Sequence, residues 1–168
     1  MSRLKHKDKK LPLILILSFL IPCIVMCIVY IVDKIEPFGS YSGLFWDGVI
    51  QYKDYFDYLW DVLHGNANLE YSAAKSLGGQ TIGLVAYYLT CPLNLLLYFF
   101  DKAHVSLFVS VSMVLKIAFS GLTASYFLRK RFHIGSLPSV LLSCCYALME
   151  YNVVYCRNIQ WLDGVVML

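Results

Sequence analysis

A run of apolar residues without a single charge occupies positions 11 to 32 and constrains the fold more than any other feature. A helix over this run would be about 33 Å long at ~1.5 Å per residue, enough to cross the ~30 Å hydrocarbon core of a bilayer. A signal peptide would have a shorter apolar region followed by a small-residue cleavage site. Because Asp33-Lys34-Ile35-Glu36-Pro37 follows instead, we predict an uncleaved transmembrane helix, kinked at Pro22.

The rest of the chain is also unusually apolar. Hydrophobic residues make up 59% of the 168 residues, and charged residues only 15%. A soluble domain is about 45–50% apolar and about 25% charged, and disordered chains combine low hydrophobicity with high net charge. Both classes are therefore excluded. The chain also lacks a Walker-type glycine loop, an HExxH motif and zinc-type Cys/His spacing, which argues against a soluble nucleotide-driven enzyme.

Positive charge is concentrated at two places. The first ten residues hold five basic side chains against Asp8 alone, Arg129-Lys130-Arg131 forms a second cluster, and acidic residues prevail between positions 36 and 70. Basic segments flank the cytoplasmic side of membrane proteins. We therefore expect a cell-membrane protein with a cytoplasmic N-terminus and an extracytoplasmic loop at 34–103. Because the basic tail runs directly into a membrane span, no nucleic-acid partner is expected.

The loop contains a helix with two chemically different faces, from about 47 to 63. Apolar residues recur at helical spacing on one face, and acidic and polar residues occupy the other. The apolar face comprises Val49, Tyr52, Phe56, Leu59 and Leu63. Such a helix is typical of a membrane surface. The sequence His64-Gly65-Asn66 predicts its C-terminal cap.

A second apolar segment of the loop, 81–100, is long enough to span but is interrupted by Pro92-Leu93-Asn94. If it crossed the membrane, the basic cluster at 129–131 would lie outside. If it re-enters on the outer side, the next helix runs inward and the cluster is cytoplasmic, which the positive-inside rule favours. Non-helical backbone at membrane depth must be covered by protein or line a cavity. This arrangement predicts a cavity or a partner segment beside residues 81–100.

The predicted fold is an all-α membrane protein with three complete transmembrane helices and the start of a fourth. Its segments are a basic cytoplasmic tail (1–10), transmembrane helix 1 (11–33), the extracytoplasmic loop (34–103) with surface helices at about 47–63 and 81–100, transmembrane helix 2 (104–128), a cytoplasmic loop (129–136), transmembrane helix 3 (137–156), and an outer loop with the start of helix 4 (157–168). The last apolar run begins at Gly164 and is too short to span. We therefore expect an N-terminal piece of a larger protein, whose remaining polypeptide is its first partner.

Asp47 is the most prominent carboxylate of the loop because it opens the surface helix directly after Phe45-Trp46. Aspartate is among the best N-cap residues, so a structural role is one interpretation. The other is a general base or a substrate-orienting carboxylate at the membrane surface. Ile50 stands where a capping box needs Glu or Gln, so no reciprocal cap supports the structural interpretation.

Arg157 and Asp163 are predicted to lie on the same side of the membrane as Asp47. We expect the three residues to surround one aqueous pocket. An arginine holds phosphate well and a carboxylate can activate a hydroxyl, so such a pocket suits a sugar-phosphate donor. The alternative is an interfacial loop whose charges are simply solvated. The dense aromatic residues at 41–60 and 87–100 fit an interfacial belt or a sugar-stacking surface.

Lys116 lies near the middle of the predicted helix 104–128. A lysine there costs about 2.5–3.5 kcal/mol on insertion scales unless it faces a polar interior. We therefore expect Lys116 to face an internal cavity or a helix interface. Glu150 lies in the neighbouring span, but an axial offset of ~9 Å leaves a direct pair between the two open.

Several short motifs together resemble the YfhO family of bacterial multi-pass membrane proteins. The first are Trp46-Asp47-Gly48 with Gln51-Tyr52, Tyr71-Ser72, and Ser76-Leu77-Gly78-Gly79. They continue through 83–89 and Cys91-Pro92-Leu93-Asn94-Leu95-Leu96 to Lys116, Gly121-Leu122, Tyr146-Ala147-Leu148 and 158–163. The resemblance extends over nearly the whole chain from residue 35.

The resemblance implies a GT-C type glycosyltransferase. Such an enzyme moves a sugar from a polyprenyl-phosphate donor, held among membrane lipid, to a cell-surface polymer of the teichoic-acid type at the outer membrane face. It implies an acidic catalytic residue in the first outer loop, the place that Asp47 occupies. The predicted site residues are Asp47 and Asp163 for catalysis, with Gln51, Tyr52, Arg157 and Lys116 for substrate binding; Arg157 and Lys116 would serve the lipid phosphate.

Two other interpretations stay open. One is a non-enzymatic transporter or flippase component for lipid-linked glycans. The other is an inactive fragment, because the later spans that close a donor cavity lie outside this sequence. No cofactor is expected besides the lipid-linked donor. Asp47 with Asp163 is too small a ligand set to predict a divalent metal, so metal use is also open.

Overall fold

The computed structural model describes residues 10–44, 47–75 and 77–167, and these residues are mostly helical. The α-helices are α1 (Leu11–Val32), α2 (Lys53–Leu63), α3 (Ile82–Leu84), α4 (Val105–Phe127), α5 (Ser136–Ala147), α6 (Glu150–Val154) and α7 (Ile159–Met167). Tighter or wider helical turns occur at Gly48–Tyr52, Val85–Leu89, Pro92–Phe99, Lys102–His104 and Leu128–Phe132. Two short strands, β1 (Tyr71–Ser72) and β2 (Gly79–Gln80), pair antiparallel.

Among the described residues, two continuous helices are long and apolar enough to cross a membrane. They are Leu11–Val32, which is α1, and Lys102–Phe132, which contains α4. The predicted segments 11–33 and 104–128 therefore coincide with the two long helices, because a long apolar run sets both ends of each helix. The apolar stretch of α1 is 28% buried inside the protein, and the apolar stretch of Lys102–Phe132 is 61% buried. It follows that α4 is the central helix and α1 packs on its outside.

The predicted third span, 137–156, is not one continuous helix. Helix α5 ends at Ala147, the backbone of Met149 is extended, and α6 begins at Glu150. The fully buried Asn152 donates from Nδ2 to the carbonyls of Tyr146 and Ala147, at 2.9 and 3.1 Å. A side chain therefore satisfies carbonyls that a further helical turn would have used, and this stabilises the break.

The segment predicted at 81–100 is helical on both sides of a sharp bend. Ile82–Leu89 and Pro92–Phe99 meet at 97°, so the predicted interruption at Pro92 is confirmed. The residue before a proline is disfavoured in helical conformation, and Cys91 is extended (φ −71°, ψ 131°). Asn94 Nδ2 donates to the Leu89 carbonyl at 3.1 Å and satisfies part of the broken helix end. If this bent pair counts as one span, the described residues contain three.

Helices α1 and α4 run antiparallel and approach closely at Gly121. The rings of Phe19 and Phe119 lie 5.0 Å apart, and Tyr30 near the other end of α1 donates to the Ser110 carbonyl at 3.4 Å. A Cβ at Gly121 would lie only 2.4 Å from the Ser18 carbonyl oxygen. Pro22, four residues after Ser18, has no N–H for that carbonyl. The Ser18 carbonyl, which lacks its usual helical hydrogen bond, therefore lies directly against Gly121, which lacks a side chain.

The surface helix predicted at 47–63 is present as the turn Gly48–Tyr52 followed by α2. Tyr52, Phe56 and Leu59 of its apolar face are buried in the core beside the start of α4, where the rings of Phe56 and Phe108 are 5.6 Å apart. Val49, which was predicted on the same face, is 53% exposed. Trp60 Nε1 donates to the Phe100 carbonyl at 2.7 Å, which ties α2 to the bent segment. The predicted C-terminal cap is confirmed, since Gly65 has a φ of +76° and its N–H donates to the Val62 carbonyl.

Candidate functional site

Asp47 and Arg157 line the same surface pocket of about 190 Å³, which we name the Asp47–Arg157 pocket. Tyr52, Tyr155 and Asn158 also line it. The pocket forms where the start of the surface helix meets the connection between α6 and α7. Both charged side chains are exposed, and no ion pair joins them among the described residues. A carboxylate and a guanidinium are therefore both free to bind a ligand there.

The Asp47 side chain does not cap the surface helix. Its backbone is already helical (φ −57°, ψ −25°), and its carboxylate makes no capping hydrogen bond. The interpretation of Asp47 as an N-cap is therefore wrong. The missing capping-box partner at Ile50 was the sequence signal for this result.

Tyr52 forms the buried wall of the pocket and is only 5% exposed. Its hydroxyl donates to Asn158 Oδ1 at 3.3 Å and accepts from Gln160 Nε2 at 3.1 Å. Burial raises the pKa of the Tyr52 phenol; the hydrogen bond from Gln160 lowers it, and the charge of Asp47 raises it again. The phenol therefore stays neutral near pH 7 and links the surface helix to the start of α7.

Gln51 does not line the Asp47–Arg157 pocket. Its Nε2 instead donates to the Tyr55 hydroxyl at 2.8 Å, within the surface helix. The substrate-binding role expected for Gln51 has no counterpart in this pocket. Gln51 and Tyr52 are neighbours in sequence, but consecutive residues of a helix lie on different faces. Tyr52 is the one of the two that contacts α7.

Lys116 is buried at a helix interface, as its central position in α4 predicted. It is 1% exposed, and its Nζ lies 2.7 Å from Asp163 Oδ1 and donates to the Ile159 carbonyl at 3.1 Å. Glu150, the partner left open by the sequence, is exposed. Because each of the paired residues comes from a different apolar run, nothing in the linear sequence selects Asp163 over Glu150.

Asp163 lines a different cavity from the one that contains Asp47. This space of about 440 Å³, the α4–α7 cavity, lies between Thr90–Leu93 at the sharp bend, Phe119 of α4, and one face of α7. Asp163 is partly exposed there. The cavity predicted beside 81–100 is therefore present. The prediction that Asp163 shares one pocket with Asp47 and Arg157 is not met.

Gln160 connects the two sites. Its side chain lines the α4–α7 cavity while its Nε2 donates to Tyr52, which lines the Asp47–Arg157 pocket. Sequence reasoning did not select Gln160, Asn158 or Cys91 as site residues. The available signals were their polar character between apolar runs and their place in the motifs at 91–96 and 158–163. Their roles could not be predicted, because they depend on a fold that brings α7 beside the surface helix.

The acidic face of α2 is partly neutralised by lysines. Lys53 pairs with Asp57 at 2.7 Å and Lys102 pairs with Asp61 at 2.6 Å. The hydrogen bond with Asp57 raises the pKa of Lys53, and burial opposes this rise slightly. Within the described ranges, no group of three or more His, Cys, Asp or Glu side chains is arranged to hold a metal ion.

Long apolar helices, a surface helix, and polar groups that converge on pockets between them define a helical integral membrane protein. A family model described as bacterial membrane protein YfhO matches residues 18–168. The chain therefore belongs to the YfhO family. Neither the search of curated proteins nor the search of solved structures gave a match.

Proposed function

We propose that the chain is part of a GT-C type glycosyltransferase that moves a sugar from a polyprenyl-phosphate donor to a cell-surface polymer of the teichoic-acid type. The observation that carries this proposal is the Asp47–Arg157 pocket, where a carboxylate and a guanidinium face one space beside a membrane-surface helix. The carboxylate suits an acceptor hydroxyl and the guanidinium suits the donor phosphate. Membership of the YfhO family is consistent with this assignment.

In this proposal the N-terminus and the basic cluster lie in the cytoplasm, and residues 34–103 lie outside. Two contacts support it. The surface helix packs near Phe108 at the start of α4, whereas the basic residues follow the far end of α4, at Leu128–Phe132. The start of α1 lies at that far end too, because α1 and α4 are antiparallel. The basic cluster at 129–131 and the start of α1 are thus at one end and the pocket at the other, which is the arrangement that the positive-inside rule favours.

The proposed reaction is a single displacement at the anomeric carbon of the donor sugar. An acceptor hydroxyl oxygen forms the new bond to that carbon, and the bond from the carbon to the phosphate oxygen breaks. The phosphate leaves with the bonding electron pair, and the hydroxyl proton passes to the Asp47 carboxylate. Arg157 offsets the charge that develops on the phosphate. Tyr52 keeps the surface helix that carries Asp47 in place through Asn158 and Gln160.

Lys116 and Asp163 have a less direct part in the proposal. Since Lys116 is bonded to Asp163 and to the Ile159 carbonyl, it orients α7 and leaves the lipid phosphate to Arg157. Asp163 is partly exposed in the α4–α7 cavity, so a second carboxylate remains close to substrate if a ligand extends into that space. Gln51 donates to the Tyr55 hydroxyl, and the proposal gives it no contact with substrate.

The test is Asp47→Asn in the complete membrane protein, with Asp101→Asn as the matched control. Asp101 is also an exposed loop carboxylate, with a side chain 90% exposed, and it lines neither pocket. Removal of a general base typically costs about 10²- to 10⁴-fold in rate. We expect surface glycosylation to fall by that order for Asp47→Asn and to be unchanged for Asp101→Asn. Full glycosylation by Asp47→Asn at normal expression would remove the catalytic role.

A transporter or flippase component for lipid-linked glycans is the second candidate. It is favoured by the buried Lys116–Asp163 pair beside a cavity, because intramembrane charges commonly mark substrate or ion pathways. Reconstituted vesicles separate the two functions. Movement of a labelled lipid-linked sugar across the bilayer without transfer to an acceptor supports transport, and transfer without movement supports the enzyme.

A further inference from the structure

The α4–α7 cavity has the size of a small-molecule site and lies apart from the Asp47–Arg157 pocket. Its volume of about 440 Å³ falls within the ~300–1,000 Å³ range of ligand pockets in proteins. Aromatic and apolar side chains dominate its wall, and a few polar groups converge at one end. This is the usual composition of a binding site, in which polar groups orient a largely apolar ligand.

The charge of the cavity is balanced without any ligand. Asp163 is the carboxylate in its wall, and Lys116 neutralises it at 2.7 Å from behind. None of the described residues that line the cavity is basic. A phosphate or another anion would therefore meet a carboxylate and no available cation, and a cationic ligand would have to compete with Lys116. The balance of charges favours an uncharged ligand.

The polar end of the cavity offers acceptors and few donors. Asp163 is partly exposed in the cavity and its carboxylate accepts hydrogen bonds, whereas Gln160 uses its Nε2 donor on Tyr52 and its Oε1 is buried without a partner among the described residues. Thr90 donates its hydroxyl to the Ala86 carbonyl, which leaves the oxygen lone pairs available. A ligand that donates hydrogen bonds is therefore favoured at this end. Hydroxyl groups fit that requirement.

The character of the wall changes along the cavity. On α7, the lining residues Gln160, Asp163, Val166 and Met167 share one helical face and pass from polar to apolar over ~10 Å. On α4 the lining residue is the apolar Phe119, one turn beyond Lys116, which lies behind the wall and pairs with Asp163. Next to the polar end stand the rings of Tyr87 and Tyr88, 4.6 Å apart. A ligand matched to this wall has a hydroxyl-rich head that stacks on aromatic rings and an apolar tail.

We propose that the α4–α7 cavity binds an uncharged glycolipid, with its sugar ring at Gln160 and Asp163 and its apolar chain against Phe119 and Val166. This second site differs in chemistry from the Asp47–Arg157 pocket, which suits a phosphate. Tyr52 and Gln160 join the two sites through one hydrogen bond, so occupation of one can be sensed at the other.

The experiment uses the purified full chain in lipid nanodiscs and two photoreactive probes with the same diazirine-bearing octyl chain. One probe carries a β-D-glucoside head and the other a phosphate head. Crosslinked peptides are mapped by mass spectrometry. We expect the glucoside probe to label residues 87–93 or 160–167 and to be displaced by unlabelled octyl glucoside, while the phosphate probe leaves these peptides unlabelled.

Two variants make the test specific. Phe119→Trp fills the cavity, and Gln160→Leu removes the free acceptor; each is expected to weaken displacement by octyl glucoside about tenfold. Phe99→Trp is the matched control, because Phe99 is exposed and does not line the cavity, and it should bind as the wild type does. Thr90→Val, at the exposed rim, replaces either variant that lowers the thermal unfolding midpoint.

Equal or stronger labelling of the cavity by the phosphate probe would overturn the proposal. So would glucoside labelling that persists at wild-type level in the well-folded variants, because it would reflect partition into the bilayer. Neither outcome bears on the Asp47→Asn test, which measures transfer at the other pocket. The two proposals therefore fail independently.

Discussion

At the residue scale, the pair formed by Lys116 and Asp163 carries the largest energetic consequence. Lys116 is almost fully buried, and its ammonium is satisfied only by Asp163 and one carbonyl in the described structure. A buried ion pair adds little net stability relative to apolar residues of the same size. Loss of one partner is costly, about 3–5 kcal/mol, because a charge is left buried without compensation.

We predict that Asp163→Leu lowers the unfolding free energy by about 3–5 kcal/mol, because Lys116 then has no counter-charge. The measurement is thermal or denaturant unfolding of the purified protein in detergent micelles. The double variant Lys116→Met with Asp163→Leu should regain most of the loss. A double variant as unstable as the sum of the single variants would show that the pair is not coupled.

A second prediction concerns Tyr52. Tyr52→Phe keeps the ring in the core but removes the hydrogen bonds to Asn158 and to Gln160 of α7, so stability should fall by only about 0.5–1.5 kcal/mol per bond. We expect a larger effect on glycosyl transfer, mainly in kcat, because Asp47 loses its fixed position. Tyr55→Phe is the control, since within the described part of the chain the Tyr55 hydroxyl bonds to Gln51 on the same helix and to no residue near α7. Equal kinetics for the two variants would exclude a positioning role.

The sequence allowed the burial of Lys116 and the shared pocket of Asp47 and Arg157 to be predicted, because both follow from charge placed in or beside apolar runs. The partner of Lys116 could not be predicted. An ion pair between residues far apart in sequence depends on which helices pack together, and hydropathy contains no such information. The same reason explains why Asp163 was assigned to the wrong pocket.

At the scale of elements, the contact between α1 and α4 depends on Gly121. Its missing side chain lets the Ser18 carbonyl, freed by Pro22, approach to a distance that no Cβ allows. Small residues at such positions let membrane helices approach closely, since packing and weak polar contacts hold helices together in lipid. The bounds of both helices were predictable from apolar runs, but this crossing point was not.

We predict that Gly121→Ala destabilises the protein by about 1–3 kcal/mol, because the new methyl group meets the backbone of α1 and not a flexible side chain. Gly164→Ala in α7 is the control. A methyl group at Gly164 would have no neighbouring atom within 4 Å, so this variant should be neutral or stabilising by about 0.5–1 kcal/mol. Unfolding in micelles measures both. Equal stability of the two variants would contradict the close contact.

The break between α5 and α6 shows where element prediction fails. No glycine or proline stands between Ala147 and Glu150, so the apolar pattern indicated one helix through 137–156. The structure instead uses the Asn152 amide to satisfy the carbonyls at the end of α5. Buried asparagine inside an apolar run was the available signal. Its effect depends on a rotamer and a backbone turn that composition does not specify.

At the scale of the whole molecule, α4 is surrounded by α1, α5 and α7 along its length, and the surface helix covers its first turns. The polar residues of interest gather at the surface-helix end and in the middle of α4. The basic cluster Arg129-Lys130-Arg131 lies at the opposite end. This polarity along one axis makes the orientation in the membrane testable.

We predict that a cysteine at position 77 is labelled on intact cells by a membrane-impermeant maleimide, and that one at position 130 is labelled only after permeabilisation. Leu77 and Lys130 are both exposed in the structure, so access depends on the side of the membrane alone. The background needs the six native cysteines, all free thiols, replaced by serine or alanine. Labelling of position 130 on intact cells would reverse the proposed orientation.

The distance in sequence between Lys116 and Asp163 also has a consequence for biosynthesis. Helix α4 leaves the ribosome first, with a lysine near its centre, and its counter-charge is synthesised only after α5 and α6. During that interval the insertion of α4 into lipid is unfavourable, since a central lysine without a counter-charge disfavours insertion. Helix α5, with 12 residues, is too short to span alone. We therefore expect the ion pair to form late in assembly, when α7 arrives and completes the membrane insertion of α4.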